Sequence, residues 1–261
     1  MKVFRKNTVY KNIYFSGSGY LCAFQLGVVL CFISNRISFE NCYSTSAGCV
    51  GAMAMAVSDP LFLKYLFITL LKLKQVTAEN KKNKGISDTL SELQHTIQKT
   101  LAHKDLGSVY SKLHFGARNI YLQNVWLSGF RSQEEIADAI LATTRLLPFV
   151  SLHPHNSYFV DQLFVFSVKD IVFDCLVSPF VQEVNVLLPP SFCNINGDNG
   201  PWNLRNIVYP ELDLMSQEFI KGYKTAARYI QEPIDIDLKS YLPDEKDLDS
   251  IISKLESHKL N

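Results

Sequence analysis

The sequence has no excess of charge of either sign. Its 261 residues carry 26 Lys and Arg against 25 Asp and Glu, a formal net charge of +1. No global field therefore draws it to nucleic acid or to an acidic surface. It also lacks an apolar run long enough to cross a bilayer. Tyr20–Ile33 is broken by Gln25, and Pro60–Leu73 by Lys64 and Lys72. Both fall short of the ~20 residues that a spanning helix needs. They read as buried helices, the alternative being an apolar face laid on a lipid surface. The first residues, Met-Lys-Val-Phe-Arg-Lys-Asn-Thr, have no apolar signal core. The six cysteines (Cys22, Cys31, Cys42, Cys49, Cys175 and Cys193) include no CxxC pair. Buried reduced thiols in an intracellular protein are the expectation. No repeat of fixed period is present, and a content of 47% hydrophobic residues excludes a disordered chain.

What is present is an alternation of short β-prone runs and helical segments. Val9–Phe15 contains Ile13-Tyr14-Phe15 and stops at Ser16-Gly17-Ser18-Gly19, after which Tyr20–Ile33 has helical length and no proline. A second short run, Cys42-Tyr43, stops at Ser44-Thr45-Ser46-Ala47-Gly48, followed by the small residues of a further helix. Pro60–Val76 is apolar on nearly every side, and Glu79–Lys84 reads as a solvated loop. A helix is expected from about Asp88, and Ser132-x-x-Glu135 carries a capping signal for another that Pro148 ends. Arg118–Leu127, Tyr158-Phe159-Val160, Ile171–Val177 and Val184–Leu188 are β-like, whereas Asn194–Asn199 reads as part of a long loop. Glu211–Ile230 looks helical, and Asp244–Leu260 forms an amphipathic terminal helix. The alternation predicts one α/β domain with a mostly parallel sheet.

Two segments could carry chemistry. In Ser44-Thr45-Ser46-Ala47-Gly48, small residues flank Ser46 on a strand-to-helix turn, where a nucleophilic serine must stand exposed on a strained, closely packed backbone. The helix that follows places its positive dipole end beneath it. An ordinary helix start has the same appearance. Ser16-Gly17-Ser18-Gly19 can present consecutive backbone N–H groups to an oxyanion. It can also be a plain βα turn or a dinucleotide loop. The dinucleotide pattern needs Gly or Ala where Cys22 stands, and an acid closing the second strand where Ser44 follows instead. A histidine base is not evident. His258 is the only histidine after Asp161, His153 and His155 form an H-x-H pair without further ligands, and His95, His103 and His114 follow no pattern. Asp161, after Tyr158-Phe159-Val160, is a carboxylate at a strand end, a position that is also common for a turn former.

Together these residues resemble the patatin-like phospholipase family over roughly residues 9–231, and most closely its animal branch containing adipose triglyceride lipase and adiponutrin. The resemblance lies in Phe15-Ser16-Gly17-Ser18-Gly19-Tyr20-Leu21 with Gly27-Val28-Val29-Leu30-Cys31, and in Tyr43–Gly51. It continues in Phe130–Ala142 with Pro148, Val177-Ser178-Pro179-Phe180 and Asn203-Leu204-Arg205-Asn206. It implies a three-layer α/β/α sandwich with a mostly parallel central sheet over 9–231, and a charged tail with an amphipathic helix over 232–261. Ser46 would be the nucleophile and Asp161 the proton acceptor of a Ser–Asp dyad. Gly17, Ser18 and Gly19 would form the oxyanion hole, with Ser44 and Gly48 as the small residues of the elbow. Neither a metal nor a cofactor is implied. The substrate would be an acyl-ester lipid, triacylglycerol or phospholipid, met in the cytoplasm or at a membrane or lipid-droplet surface, and nucleic acid is not a partner.

The chain departs from the family at three places: Ser44 replaces the first elbow glycine, Cys22 replaces the last loop glycine, and Asp161-Gln162-Leu163 replaces Asp-Gly-Gly or Asp-Gly-Ala. Glycine after the aspartate permits backbone angles closed to most side chains. The alternative function is therefore a weakly active or inactive relative that binds lipid.

Overall fold

A computed structural model describes residues 3–80, 107, 109–119, 123–144, 151–153, 157–160, 171–181, 191–200 and 211–242. Its centre is an eight-stranded sheet in the order β5-β6-β3-β2-β1-β7-β8, with β4 also paired to β3. The strands are β1 (Val9–Phe15), β2 (Ser38–Thr45), β3 (Leu113–Asn119), β4 (Asn124–Ser128), β5 (Ser151–His153), β6 (Ser157–Val160), β7 (Cys175–Phe180) and β8 (Asn194–Asn199). β3, β2, β1, β7 and β8 are mutually parallel. β4, β5 and β6 join as antiparallel pairs at the β3 side. The helices are α1 (Cys22–Ser34), α2 (Gly48–Val57), α3 (Pro60–Asn80), α4 (Gln133–Thr144) and α5 (Leu212–Ala227). The expected α/β class with a mostly parallel central sheet is the one observed.

Strand periodicity sorts the side chains onto two faces. Ile13 and Phe15, Cys42, Leu113 and Phe115, and Cys175 and Val177 all join the main core with residues of the five helices. Their alternates Tyr14, Tyr43 and Leu176 turn to the other face and pack with Trp126, Ile171 and Phe173. There Tyr43 stacks on His114 with ring centroids 4.4 Å apart. Burial holds the His114 pKa below its ordinary value.

α1 is buried over nearly its whole length: every residue from Cys22 to Phe32, Gln25 included, is buried. One reason is its contact with α5, where the two backbones touch. A Cβ added at Gly27 would lie 1.9 Å from the Phe219 carbonyl oxygen, and one at Gly222 would lie 1.9 Å from that of Phe24. α3 is likewise part of the core, with Leu63, Leu66 and Leu70 buried and Leu61 exposed. The scaffold reading of this helix therefore holds for those leucines. Among the described residues, no helix is long and apolar enough to cross a membrane. All six cysteines are buried and none forms a disulfide, and burial alone pushes the Cys31 thiol up to about 12.

Ser132 caps α4 as the sequence predicts, and Glu135 reaches back one residue beyond it. The Ser132 hydroxyl accepts from Glu135 N–H at 3.2 Å, and the Glu135 carboxylate accepts from Arg131 N–H at 2.8 Å. Two readings of the chain change. Arg118–Leu127 is not one strand but the adjoining ends of β3 and β4. Asn194–Asn199 is the strand β8, not loop. Among the described residues it pairs with β7, in a ladder interrupted between Ser178 and Phe180. Gly197 has no room for a side chain there, since its Cβ would stand 2.1 Å from the Pro179 carbonyl oxygen. Asn199 caps the strand by donating to that same carbonyl and to Glu218. The helix expected from Asp88, the strand at Val184–Leu188 and the helix over Asp244–Leu260 lie outside the described residues. Residues 232–242 run back along the core, where Ile234 N–H donates to Asn35 Oδ1 and Tyr223 OH to the Ile234 carbonyl.

Candidate active site

β1 and β2 are parallel neighbours with Phe15 opposite Ser44, so the segments after them leave the sheet side by side at its carboxyl edge. In open α/β sheets that edge is where ligands bind. Ser16–Gly19 follows β1 and leads through a 3-10 turn into α1; Ser46-Ala47 follows β2 and leads into α2.

Ser46 has φ +50°. This is the left-handed region, which costs a non-glycine residue about 1–2 kcal/mol, and the surroundings enforce it. Its carbonyl accepts from Cys49 N–H at 3.1 Å and from the buried Thr143 hydroxyl of α4 at 3.3 Å. On the strand side, Thr45 is pinned by a 2.9 Å hydrogen bond between its hydroxyl and Tyr14 OH. Strain in a serine between a strand and a helix is what a nucleophile elbow requires. Ser46 is 7% exposed.

Gly48 explains the small residue two places on. A Cβ there would lie 2.5 Å from the Phe15 carbonyl oxygen and 2.6 Å from that of Ser16. The start of α2 is thus pressed against the backbone of the neighbouring loop. Gly48→Ala should cost about 2 kcal/mol, read as a lowered urea midpoint with unchanged m-value. Ser44, by contrast, needs no glycine: it is a fully buried residue within β2 and has no positive φ. Cys22 is likewise accommodated, as a buried residue that opens α1.

The Ser16–Gly19 loop is tied down around its amides rather than through them. Ser16 N–H donates to the Val177 carbonyl at 3.0 Å, and Leu21 N–H to the Ser18 carbonyl at 3.1 Å. The Gln25 side-chain amide donates to the Ser16 carbonyl at 2.7 Å. Among the described residues no carbonyl accepts from the N–H of Gly17, Ser18 or Gly19. Gly19 has φ +53°, an angle glycine adopts without cost. Among the described residues, four buried oxygens of this corner have no hydrogen-bond partner: Ser16 Oγ, Ser18 Oγ, Ser44 Oγ and Gln25 Oε1.

The structure brings together six of the seven residues expected at the site: Ser46, Ser44 and Gly48 around the turn, and Gly17, Ser18 and Gly19 on the adjacent loop. Asp161 lies outside the described residues, as do Gln162, His95, His103, His155 and His258. The strand before Asp161, β6, ends with Val160 opposite Arg118 of β3, and β3 in turn pairs with β2 through Gly116 and Thr45. His153 belongs to β5, opposite Ser157. His114 is on the sheet face that Tyr43 shares, not with Cys42 and the helices. Among the described residues no three His, Cys, Asp or Glu side chains group as metal ligands.

The comparisons leave the family open. No protein-family model matches the chain, and no curated protein matches it. Among solved structures it is similar to VipD from Legionella pneumophila, with 11% sequence identity and a TM-score of 0.43, over 89% of this chain and 67% of that one.

Sequence reasoning missed three residues of this corner. Thr143 and Tyr14 carry no local signal, since each acts on a residue distant in sequence. Gln25 did carry one: it is a lone amide in an otherwise apolar helix, and it is 0% exposed.

Proposed function

We propose that the protein is a serine hydrolase of acyl-ester lipids with the Ser–Asp chemistry of the patatin-like phospholipases. One observation carries this reading: Ser46, at φ +50° between β2 and α2, is packed through Gly48 against a loop whose Gly17, Ser18 and Gly19 amides have no backbone acceptor among the described residues. A strained serine beside open amides is the arrangement that acyl transfer needs.

In this mechanism the Asp161 carboxylate takes the Ser46 hydroxyl proton as Oγ bonds to the ester carbonyl carbon. The amides of Gly17, Ser18 and Gly19 hold the oxyanion. Collapse breaks the ester bond, and Asp161 returns the proton to the leaving alcohol. Water then attacks the acyl-serine, with Asp161 again taking a proton, and the fatty acid leaves as Ser46 is restored. No metal or cofactor takes part. The resemblance to the animal branch supports triacylglycerol or phospholipid as substrate, and a cytoplasmic site of action at a membrane or lipid-droplet surface.

The test is hydrolysis of a panel of acyl-ester lipids by the wild type and Asp161→Asn. Loss of the base should lower kcat by about 10²–10⁴-fold with the protein still folded; full activity in Asp161→Asn would exclude the dyad. The second reading is a lipid-binding protein without turnover, and Gln162 in place of the family's glycine favours it. That reading expects the wild type to float with lipid vesicles and hydrolyse none of the panel.

A further inference from the structure

We infer that Gln25 is a positioning residue for the loop: by capturing the Ser16 carbonyl it turns the Gly17 N–H toward the place where an oxyanion forms. The inference takes its chemistry from the hydrolase reading above, but its geometry stands separately. Gln25 is the one amide side chain in the buried stretch Cys22–Phe32, and it is 0% exposed. An apolar residue would serve packing better, because a buried amide must be hydrogen-bonded to offset its desolvation. Among the described residues the side chain makes one such bond, Nε2 to the Ser16 carbonyl oxygen at 2.7 Å, and Oε1 has no partner. A carbonyl only accepts, so the orientation of the Gln25 amide is fixed by chemistry. A side chain kept for a wider polar network would use both ends; this one acts on a single backbone atom.

That atom is held from two sides. The Ser16 carbonyl oxygen faces Gln25 on α1 and also the start of α2, where a Cβ on Gly48 would come within 2.6 Å of it. On its other side, Ser16 is fixed by its N–H bond to the Val177 carbonyl of β7. In a planar trans peptide the N–H points opposite to the C=O. The Ser16–Gly17 unit therefore aims its carbonyl at the two helices and its Gly17 N–H away from them, at the carboxyl edge of the sheet. Without the Gln25 donor the Ser16 carbonyl loses its buried partner, and the peptide on either side of Gly17 is free to turn.

The test uses Gln25→Met, which keeps an unbranched chain of similar length without a donor. If that variant does not fold, Gln25→Leu, which also lacks a donor, is read in the same way. The geometric readout needs no substrate. Protein labelled with 15N-glycine and carbonyl-13C-serine singles out the three glycines that follow serine, Gly17, Gly19 and Gly129. The Gly17 amide signal should move in the variant while that of Gly129 stays. With lipid ester, kcat should fall about 10²-fold, the effect of losing one oxyanion donor. Inhibition by a trifluoromethyl ketone, which forms a tetrahedral serine adduct, should weaken by the same factor. KM and the affinity for a non-hydrolysable ether-linked lipid analogue should not change. A Gly17 signal that stays in place in a folded variant overturns the inference, and so does a displaced signal with undiminished kcat. A wild type that neither hydrolyses nor binds the ketone overturns the hydrolase reading, and the Gly17 signal then decides the orientation alone.

Discussion

Replacing Ser46 with alanine should lower lipid-ester hydrolysis by at least about 10³-fold, and replacing it with glycine should do the same while making the protein more stable. In the proposed mechanism the activity loss follows from removing the atom that forms the acyl-enzyme; what remains is the background that binding and open amides supply. The stability gain follows from the backbone. At φ +50° both serine and alanine are strained, whereas glycine adopts that angle freely. Ser46→Gly should therefore gain about 1 kcal/mol, reduced by the flexibility glycine adds to the unfolded chain. Ser46→Ala should leave stability near the wild type. Urea unfolding of the three proteins checks this, alongside their rates. If glycine is destabilising where alanine is neutral, the turn is not strained and the elbow reading of Ser46 loses its physical basis.

The largest stability effect is expected at the α1–α5 crossing. Gly27→Ala would place a methyl group 1.9 Å from the Phe219 carbonyl oxygen and 2.9 Å from the Tyr223 nitrogen. Backbone atoms on both sides cannot yield as a side-chain tip can, so one helix must shift bodily. The cost should be about 3 kcal/mol. For a chain of this size that is a fall in melting temperature of about 6–12 °C. Gly200→Ala is the control. Nothing lies within 4 Å of a Cβ there, and the change should remain within about 0.5 kcal/mol. Equal effects at the two glycines would show that α1 and α5 do not meet backbone to backbone. Because α1 also carries Gln25 beneath the Ser16 carbonyl, the Gly27 variant should lose catalytic rate as well as stability.

The parallel centre of the fold was legible because its strands stop at marked places. Ser16–Gly19 and Ser44–Gly48 each interrupt an apolar pattern with small residues, and each proves to be a strand-to-helix junction. The Ser132 and Glu135 cap was legible for the same reason, since both partners lie within one turn. The strand β8 was not legible. Its Asn-Ile-Asn-Gly-Asp-Asn sequence follows turn chemistry, and what makes it a strand is pairing with β7 and the close approach of Gly197 to Pro179, both non-local. At the site, Ser46 and the glycine loop could be read from the chain because a tight turn needs small neighbours wherever it occurs. Their partners could not: Thr143 reaches Ser46 from 97 residues away, and Tyr14 reaches Thr45 from 31. The departures at Ser44 and Cys22 are accommodated by the fold, since one residue lies in a strand and the other opens a helix, and neither position has a positive φ.

Whether Ser46 is an activated nucleophile is decided by reaction of the folded protein with a fluorophosphonate, followed by intact and peptide mass measurement, with Ser46→Ala as control. The expected result is one adduct per chain, carried by the peptide containing Ser46 and missing from the variant. A folded wild type that takes up no probe, or one labelled equally in Ser46→Ala, would contradict it.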